Sequence, residues 1–301
     1  MRLLTRSDFD GLACGALLEY LGLIDEYKFV HPKDIQDGLV EATSNDILAN
    51  IPYIKGCKLW FDHHYSETER LGKDVYFDGV SRPAPSCARV IYDYYGGEEK
   101  LGCFSNMLTF VDKMDSGDLS AEEILHPTGW ILLGFIMDPR TGLGRFRNFG
   151  ISNYDLMIML AKACIDKSIE EILAMKDVKE RVDLYMEQEG AFQEMIQKHA
   201  KIEGNAVMVD LRGMETINVG NRFIVYTLFP KQNISLWVID GRNKQNAVIT
   251  VGYSIINRSS TVNVGSLLLK YGGGGHVQVG TCQVEYDTAD RILKEIIAAV
   301  K

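Results

Sequence analysis

Short apolar runs alternate with helix-like patterns in the first half of the chain, and this alternation restricts the fold more than any other feature. The runs with strand character are Met1–Thr5, Tyr27–Val30, Asp46–Leu48, Lys58–Phe61 and Val75–Phe77. Those with helical spacing are Leu12–Leu23, Lys33–Ala42, Ser86–Tyr95 and Leu101–Met114. Strands that alternate with helices predict crossover units and a mostly parallel sheet. Such a sheet binds its ligands at the carboxyl ends of the strands.

The rest of the chain has a different order of elements. Helical spacing continues from Ile151 to Ala200, strand-like runs return after Glu203, and a closing helix is predicted over Thr288–Val300. A length of 301 residues also suits two domains, because single hydrophobic cores stop growing at about 250–300 residues. We therefore predict an α/β protein with an N-terminal, mostly parallel sheet domain (1–150), a helical connector (151–202) and a smaller C-terminal α/β domain (203–301). The active site is expected in the cleft between the domains.

Composition and charge exclude several classes of protein. The net charge of −9 argues against charge-driven binding to duplex DNA, although a metal ion and a few arginines could still attract a phosphate substrate. No apolar run is long enough to span a membrane, and the N-terminus has no apolar leader, so we predict a cytoplasmic protein. The six cysteines include no Cys-x-x-Cys pair, which excludes zinc-ribbon and thioredoxin-like sites.

Two carboxylates follow the first predicted strand. Asp8 and Asp10 are two residues apart, so strand alternation places both on one side, and Gly11 allows the backbone to turn directly into the helix. One of the two could simply cap that helix. Capping needs a single carboxylate, however, and we favour the alternative of a site for a hard metal ion.

Other candidate ligands follow later strands. Asp46 stands in a polar segment, where a turn or cap residue is the default interpretation. Asp62, His63 and His64 come directly after the run Lys58–Phe61 and could be surface residues. Two imidazoles beside carboxylates at neighbouring strand ends nevertheless suit a transition metal with nitrogen and oxygen ligands, such as Mn²⁺. Asp62 would then orient a histidine without binding the metal itself.

Three further acids, Asp112, Asp115 and Asp118, end a predicted helix, where the helix dipole disfavours negative charge. They could form a solvated helix end. We favour Asp115 as a metal ligand, because the turn that it begins with Ser116 and Gly117 could direct its carboxylate inward.

The glycine run Gly272–Gly275 precedes His276 between a predicted helix and a predicted strand. A flexible linker is a poor interpretation of a run inside a domain. Glycine allows backbone N–H groups to surround an anion, and Arg258 could bind a phosphate with two hydrogen bonds. A metal cluster in one domain and an anion site in the other predict a phosphorylated substrate.

In their order and spacing, these motifs resemble those of the DHH phosphoesterase superfamily. They are Asp8-Phe9-Asp10-Gly11, Asp46, Asp62-His63-His64, Asp115 and Gly272-Gly273-Gly274-Gly275-His276. The glycine motif is similar to that of the branch with the DHH-associated C-terminal domain. That branch includes RecJ-type exonucleases, short-oligonucleotide phosphatases, cyclic-dinucleotide phosphodiesterases and exopolyphosphatase-related proteins. The resemblance spans both ends of the chain.

The resemblance implies a role for each of these residues around two manganese ions. The implied ligands of the first ion are Asp8 and Asp46, and those of the second are Asp10, Asp46, His63 and Asp115. His64 would face the scissile phosphate with the support of Asp62. The implied contacts to the terminal phosphate or nucleotide end are Arg258, Gly273, Gly274, Gly275 and His276. Two metal ions together lower the pKa of a bridging water and stabilise both the attacking and the leaving oxygen.

Arginines raise two further questions. The family pattern has a histidine two residues before the first aspartate, and this chain has Arg6, which has no lone pair for a metal. Either the first metal site is weakened or absent, so that one ion rather than two is bound, or Arg6 points at the substrate phosphate. Arg140, Arg145 and Arg147 could line the cleft or form a basic surface loop.

We therefore predict a metal-dependent phosphoesterase for small phosphorylated substrates, such as short single-stranded oligonucleotides, nucleotides or polyphosphate. The alternative is a non-catalytic phosphate- or nucleotide-binding protein whose metal site is degraded by Arg6. An inorganic pyrophosphatase is a weaker alternative, because that branch lacks the glycine motif. Neither duplex DNA nor a membrane is expected as a partner, and a homodimer is left open.

Overall fold

A computed structural model describes residues 1–64, 67, 71 and 75–300. The chain divides into two compact units. The first contains Met1–Asp118 and Pro127–Leu184, and the second contains Leu119–His126 and Tyr185–Lys301. None of the helices in the described part of the chain is long and apolar enough to cross a membrane.

The helices differ widely in length. They are α1 (Phe9–Tyr20), α2 (Pro32–Gln36), α3 (Cys87–Tyr94), α4 (Gly97–Leu101), α5 (Ser105–Ser116), α6 (Ala121–Leu125), α7 (Gly129–Met137), α8 (Asn153–Asp166), α9 (Ile169–Ala174), α10 (Lys176–His199), α11 (Ile224–Leu228), α12 (Val264–Leu269) and α13 (Tyr286–Val300). Within the predicted connector, α8 and α9 belong to the first unit, and α10 continues from the first unit into the second.

A five-stranded parallel sheet forms the centre of the first unit. Its strands are β1 (Arg2–Thr5), β2 (Glu26–Phe29), β3 (Asp46–Ala49), β4 (Leu59–Asp62) and β5 (Gly79–Ser81), in the order β2-β1-β3-β4-β5. All neighbouring pairs are parallel, so the five carboxyl ends lie at one edge. Leu4, Leu48 and Trp60 are fully buried, as the near-continuous apolar runs of a parallel sheet require. The predicted α/β fold class is confirmed.

A six-stranded mixed sheet forms the centre of the second unit. Its strands are β6 (Ala200–Glu203), β7 (Ala206–Asp210), β8 (Ile234–Asp240), β9 (Ala247–Tyr253), β10 (Gly274–Gly275) and β11 (Val279–Val284), in the order β10-β11-β9-β8-β7-β6. The pair β7–β8 is parallel and the other pairs are antiparallel. Leu236 and Ile249 of the strands share one core with Leu268 of α12 and Ile296 of α13.

Two predicted elements of the first unit are wrong in their limits. The strand predicted over Val75–Phe77 is irregular, and β5 begins at Gly79, whose φ of +115° requires glycine. Phe77 instead packs edge-on against Trp60, with 4.7 Å between ring centroids. The helix predicted over Lys33–Ala42 ends at Gln36, shortly before Gly38 with a φ of +72°.

Candidate active site

The carboxylate of Asp10 is fixed at the edge of the sheet where the strands end. Asp10 is the second residue of α1, and its side chain is almost fully buried. The N-terminus of α3 donates two backbone hydrogen bonds to it, from Cys87 N to Oδ2 at 2.9 Å and from Ala88 N to Oδ1 at 2.8 Å. Gly11 makes the tight entry into α1 possible, because a Cβ there would lie 2.1 Å from the carbonyl oxygen of Arg6. The two backbone hydrogen bonds therefore hold the Asp10 carboxylate in one orientation.

His63, which follows β4, directs its Nε2 to the same place. Its Nδ1 lies 3.1 Å from the carbonyl oxygen of Ala84, which can only accept, so Nδ1 donates this hydrogen bond and Nε2 is the nitrogen that faces the carboxylates. The side chain is 9% exposed, and Nε2 has no hydrogen-bond partner among the residues that the structure describes. Nε2 lies 3.3 Å from Asp115 Oδ2 and 3.7 Å from Asp10 Oδ2. This arrangement is typical of a metal-binding imidazole with its other nitrogen held by a carbonyl.

Asp10, His63 and Asp115 therefore form a cluster that fits a divalent cation. Their nearest ligand atoms all lie within 4.8 Å of one another. Burial and the negative charge of Asp115 raise the pKa of Asp10 to about 7. The side chain of Asp115 is one-third exposed, and partial desolvation with the negative charge of Asp8 raises its pKa as well. Two carboxylates that repel each other beside a buried, unpartnered nitrogen are stabilised when a cation lies between them.

Asp112 is not part of this cluster. Arg89 donates from Nε and Nη2 to Asp112 Oδ2, at 2.9 and 2.7 Å, and Ser86 Oγ donates to Oδ1 at 2.6 Å. Of the acids that end α5, Asp115 is thus the one that reaches the cation cluster, as the turn after it suggested.

The residues implied for a first metal ion do not fit one. Asp8 Oδ1 accepts hydrogen bonds from Gly11 N at 2.9 Å and from Asn50 Nδ2 at 3.2 Å, and Asp8 Oδ2 lies 3.1 Å from Arg6 Nε. Asp8 therefore caps α1 and pairs with a guanidinium. Both interpretations of this acid pair hold in part: Asp8 is a cap, and Asp10 belongs to the cation cluster.

The structure places Asp46 away from the cation cluster. Asp46 is the first residue of β3 and lies opposite Arg2, the first residue of β1, at the amino-terminal edge of the sheet. Arg2 Nε donates to Asp46 Oδ1 at 2.7 Å, and Thr43 N donates to Oδ2 at 2.7 Å. The carboxyl end of β3 instead carries Asn50, which sequence reasoning missed. The signal for it was available, because Asn50 follows an apolar run as Asp62 does.

Asp62 and His64 form a second pair beside the cluster. Asp62 Oδ1 lies 2.9 Å from His64 Nδ1, and the Asp62 side chain is fully buried. Burial lowers the pKa of His64, but the hydrogen bond to Asp62 and the negative charges of Asp62 and Asp115 together raise it more. The buried carboxylate of Asp62 thus stabilises the protonated form of the His64 ring.

Arg140, one member of the arginine loop, forms an ion pair with Asp138. Its half-exposed side chain donates from Nε to Asp138 Oδ1 at 2.7 Å. Partial burial alone would lower the pKa of Arg140, but the charges of Asp138, Asp8 and Asp115 raise it.

The predicted anion site in the second unit differs from a cradle of backbone N–H groups. Gly272 N, Gly273 N and His276 N donate to the carbonyl oxygens of Leu269, Leu268 and Val279. Gly274 and Gly275 pair with β11. A Cβ at Gly273 would lie 2.4 Å from Thr281 O, so these glycines allow a close approach of backbones.

The other two residues implied for this anion site, Arg258 and His276, have exposed side chains and lie in loops.

Comparison with known proteins agrees with this geometry. No protein-family profile and no curated protein matches the chain. A solved structure of PggH, a pGpG-specific phosphodiesterase from Vibrio cholerae, is 48% identical in sequence and superposes with a TM-score of 0.84, over 99% of this chain and 98% of that one. The chain belongs to the DHH phosphoesterase family. The family and the hydrolase class predicted from the sequence are thus confirmed.

More distant DHH proteins share the fold alone. An exopolyphosphatase-related protein from Bacteroides fragilis is 13% identical with a TM-score of 0.54, over 99% of this chain and 91% of that one. RecJ in complex with Mn²⁺ from Thermus thermophilus is 14% identical with a TM-score of 0.58, over 99% of this chain and 51% of that one.

Proposed function

We propose that this DHH protein is a Mn²⁺-dependent phosphodiesterase that hydrolyses a short linear dinucleotide of the pGpG type. The observation that carries the proposal is the buried, unpartnered Nε2 of His63 beside Asp10 and Asp115. The identity of 48% to a pGpG-specific phosphodiesterase along the whole chain supports the substrate class. A cytoplasmic location stays a prediction from the sequence, and a homodimer stays open.

Asp10, His63 and Asp115 would hold the ion. Mn²⁺ suits this donor set of one imidazole and two carboxylates. When bound, such an ion polarises a phosphate oxygen and lowers the pKa of a water molecule. The hydrogen bonds from Cys87 N and Ala88 N keep the Asp10 carboxylate oriented, so that little reorganisation is needed when the ion enters.

His64 and Asp62 would serve the leaving group. A water oxygen forms a bond to phosphorus, the bond from phosphorus to the ester oxygen breaks, and that oxygen needs a proton. The imidazolium of His64, favoured by the buried carboxylate of Asp62, can donate this proton from Nε2. The proton lost by the water passes to the solvent.

The second unit offers side chains that suit a phosphate. Arg258 offers a guanidinium that binds phosphate with two hydrogen bonds, and His276 offers an imidazole. Because the N–H groups of Gly272, Gly273 and His276 are used within the fold, we assign this binding to side chains. The net charge of −9 favours a short single-stranded substrate over duplex DNA.

The Arg6–Asp8 ion pair favours one alternative, a phosphate-binding protein without catalysis. A hydrolysis panel separates the two functions. Chelator-treated protein, with and without added Mn²⁺, is incubated with pGpG, pApA, cyclic di-GMP, phosphoadenosine phosphate and polyphosphate. We expect cleavage of pGpG that depends on Mn²⁺ and is lost in His63→Gln. If pGpG binds but stays intact at all Mn²⁺ concentrations, the phosphodiesterase proposal is wrong and the binding alternative is right.

A further inference from the structure

We propose that the active site binds a single divalent ion, and that the guanidinium of Arg6 takes the place of a second ion and contacts the substrate phosphate. The inference rests on the proposed function, because it describes how the same site would bind its ion and its substrate. Three structural observations support it, and they concern Asp8, Asn50 and Arg6.

The carboxylate of Asp8 already has partners within the protein. Each oxygen already has a donor: Oδ1 accepts from Gly11 N and Asn50 Nδ2, and Oδ2 lies 3.1 Å from Arg6 Nε. Asp8 is 8% exposed. A metal ion bound here would displace a guanidinium from a nearly buried carboxylate, and it would bring two positive charges together in a region of low dielectric constant.

Asn50 places an uncharged side chain where β3 ends. It is 1% exposed, it has a φ of 58°, and its Oδ1 has no hydrogen-bond partner in the described part of the chain. The carboxylates near this end of the sheet are those of Asp8, Asp10, Asp62 and Asp115. Asp8 pairs with Arg6 and Asp62 is hydrogen-bonded to His64, so Asp10 and Asp115 remain for one divalent ion. A second divalent ion would leave an excess of positive charge in a partly buried site.

Arg6 is placed to act on a phosphate. Its side chain is 32% exposed, and Asp8 is its one carboxylate partner among the described residues. Arg6 directly follows β1, so it lies at the carboxyl edge of the sheet, where His63 follows β4. A guanidinium that is held at Nε retains N–H donors that suit phosphate oxygens.

Counting the ions tests the inference. Full-length protein is stripped with a chelator, and bound Mn²⁺ is then measured by equilibrium dialysis, elemental analysis and electron paramagnetic resonance. We expect one ion per chain and the spectrum of isolated Mn²⁺. The double variant Arg6→His/Asn50→Asp should bind a second ion and show the spectrum of two coupled ions.

Arg2→His is a matched control for this variant. Arg2 also pairs through Nε with a buried aspartate, and its side chain is 31% exposed, compared with 32% for Arg6. Because that pair lies at the other edge of the sheet, Arg2→His should still bind one ion. Two ions or a coupled spectrum in the unaltered protein would overturn the inference. So would a folded double variant, checked by circular dichroism, that still binds a single ion.

Inorganic phosphate tests the contact of Arg6 with the substrate. In Arg6→Gln loaded with Mn²⁺, phosphate should bind about tenfold more weakly or worse, while the ion count stays at one. Unchanged phosphate affinity would overturn the role of Arg6. A protein with one bound ion that cleaves no substrate would instead contradict the proposed function and leave the ion count standing.

Discussion

Arg2 and Asp46 form an ion pair at the amino-terminal edge of the parallel sheet, with 2.7 Å between Nε and Oδ1. The second oxygen of Asp46 accepts hydrogen bonds from Thr43 N at 2.7 Å and from Thr43 Oγ1 at 2.9 Å. The Asp46 side chain is 1% exposed. The pair ties the start of β3 to the start of β1, so its role is structural.

We predict that Asp46→Asn lowers the free energy of unfolding by about 2 kcal/mol at pH 7, because the buried carboxylate partner of Arg2 is lost. Bound Mn²⁺ should stay unchanged. Urea unfolding and an ion count measure the two effects, and the exposed Asp37→Asn is the control. A loss of bound Mn²⁺ in Asp46→Asn would contradict the structural role.

The effect of Asp46→Asn should also depend on pH. Burial alone would raise the pKa of Asp46, but the hydrogen bonds from Arg2 and Thr43 outweigh it and lower the pKa. A carboxylate with a lowered pKa stabilises the fold above its unfolded pKa of about 3.9, and this stabilisation is lost as the pH falls through the folded value. The difference in unfolding free energy between the two proteins should therefore be constant from pH 7 to 5 and should shrink below pH 4. A difference that grows below pH 4 would contradict this explanation.

His63→Gln should abolish binding of Mn²⁺ at micromolar concentrations and reduce hydrolysis to background. The variant removes the ring nitrogen Nε2, and this atom lies 3.3 Å from Asp115 Oδ2. Equilibrium dialysis measures the binding. His31→Gln is the control, because His31 is exposed and only accepts a hydrogen bond from Lys33 N at the start of α2. Full Mn²⁺ binding by His63→Gln would show that the ion lies elsewhere.

The sequence predicted the cation cluster because its residues follow strand and helix ends that a parallel sheet brings to one edge. Asp10 and His63 are of this kind. The edge of the sheet at which Asp46 lies could not be predicted for a physical reason. An acid next to a short apolar run can begin the strand or end it, and the two positions lie at opposite edges of the sheet. Asp46 begins β3, and Asn50 follows its end. The contact between Asp8 and Asn50 is equally hidden, since the two residues lie 42 positions apart in the sequence.

Variants of Asp62 and His64 should lose catalytic activity and keep their bound metal ion. His64→Gln removes the proton donor and should lower kcat about 100-fold with one ion still bound. Asp62→Asn weakens the hydrogen bond that orients the His64 ring, in which Nδ1 lies 2.9 Å from Asp62 Oδ1. This variant should lower kcat about tenfold. Steady-state kinetics and an ion count on the same samples check both values. If His64→Gln also loses its ion, His64 is a ligand and its proposed role is wrong.

The glycine run of the second unit predicts a contrast between neighbouring substitutions. A Cβ at Gly273 would lie 2.4 Å from Thr281 O and 2.5 Å from Cys282 Cβ, whereas one at Gly274 would come no closer than 3.8 Å to Leu269 Cδ1. Gly273→Ala should therefore cost about 3 kcal/mol or more of stability, and Gly274→Ala should cost less than about 1 kcal/mol. Urea unfolding of the two variants measures the difference. Equal stability of both, together with weakened phosphate binding, would show that the run is an anion cradle and that backbone packing does not explain its glycines.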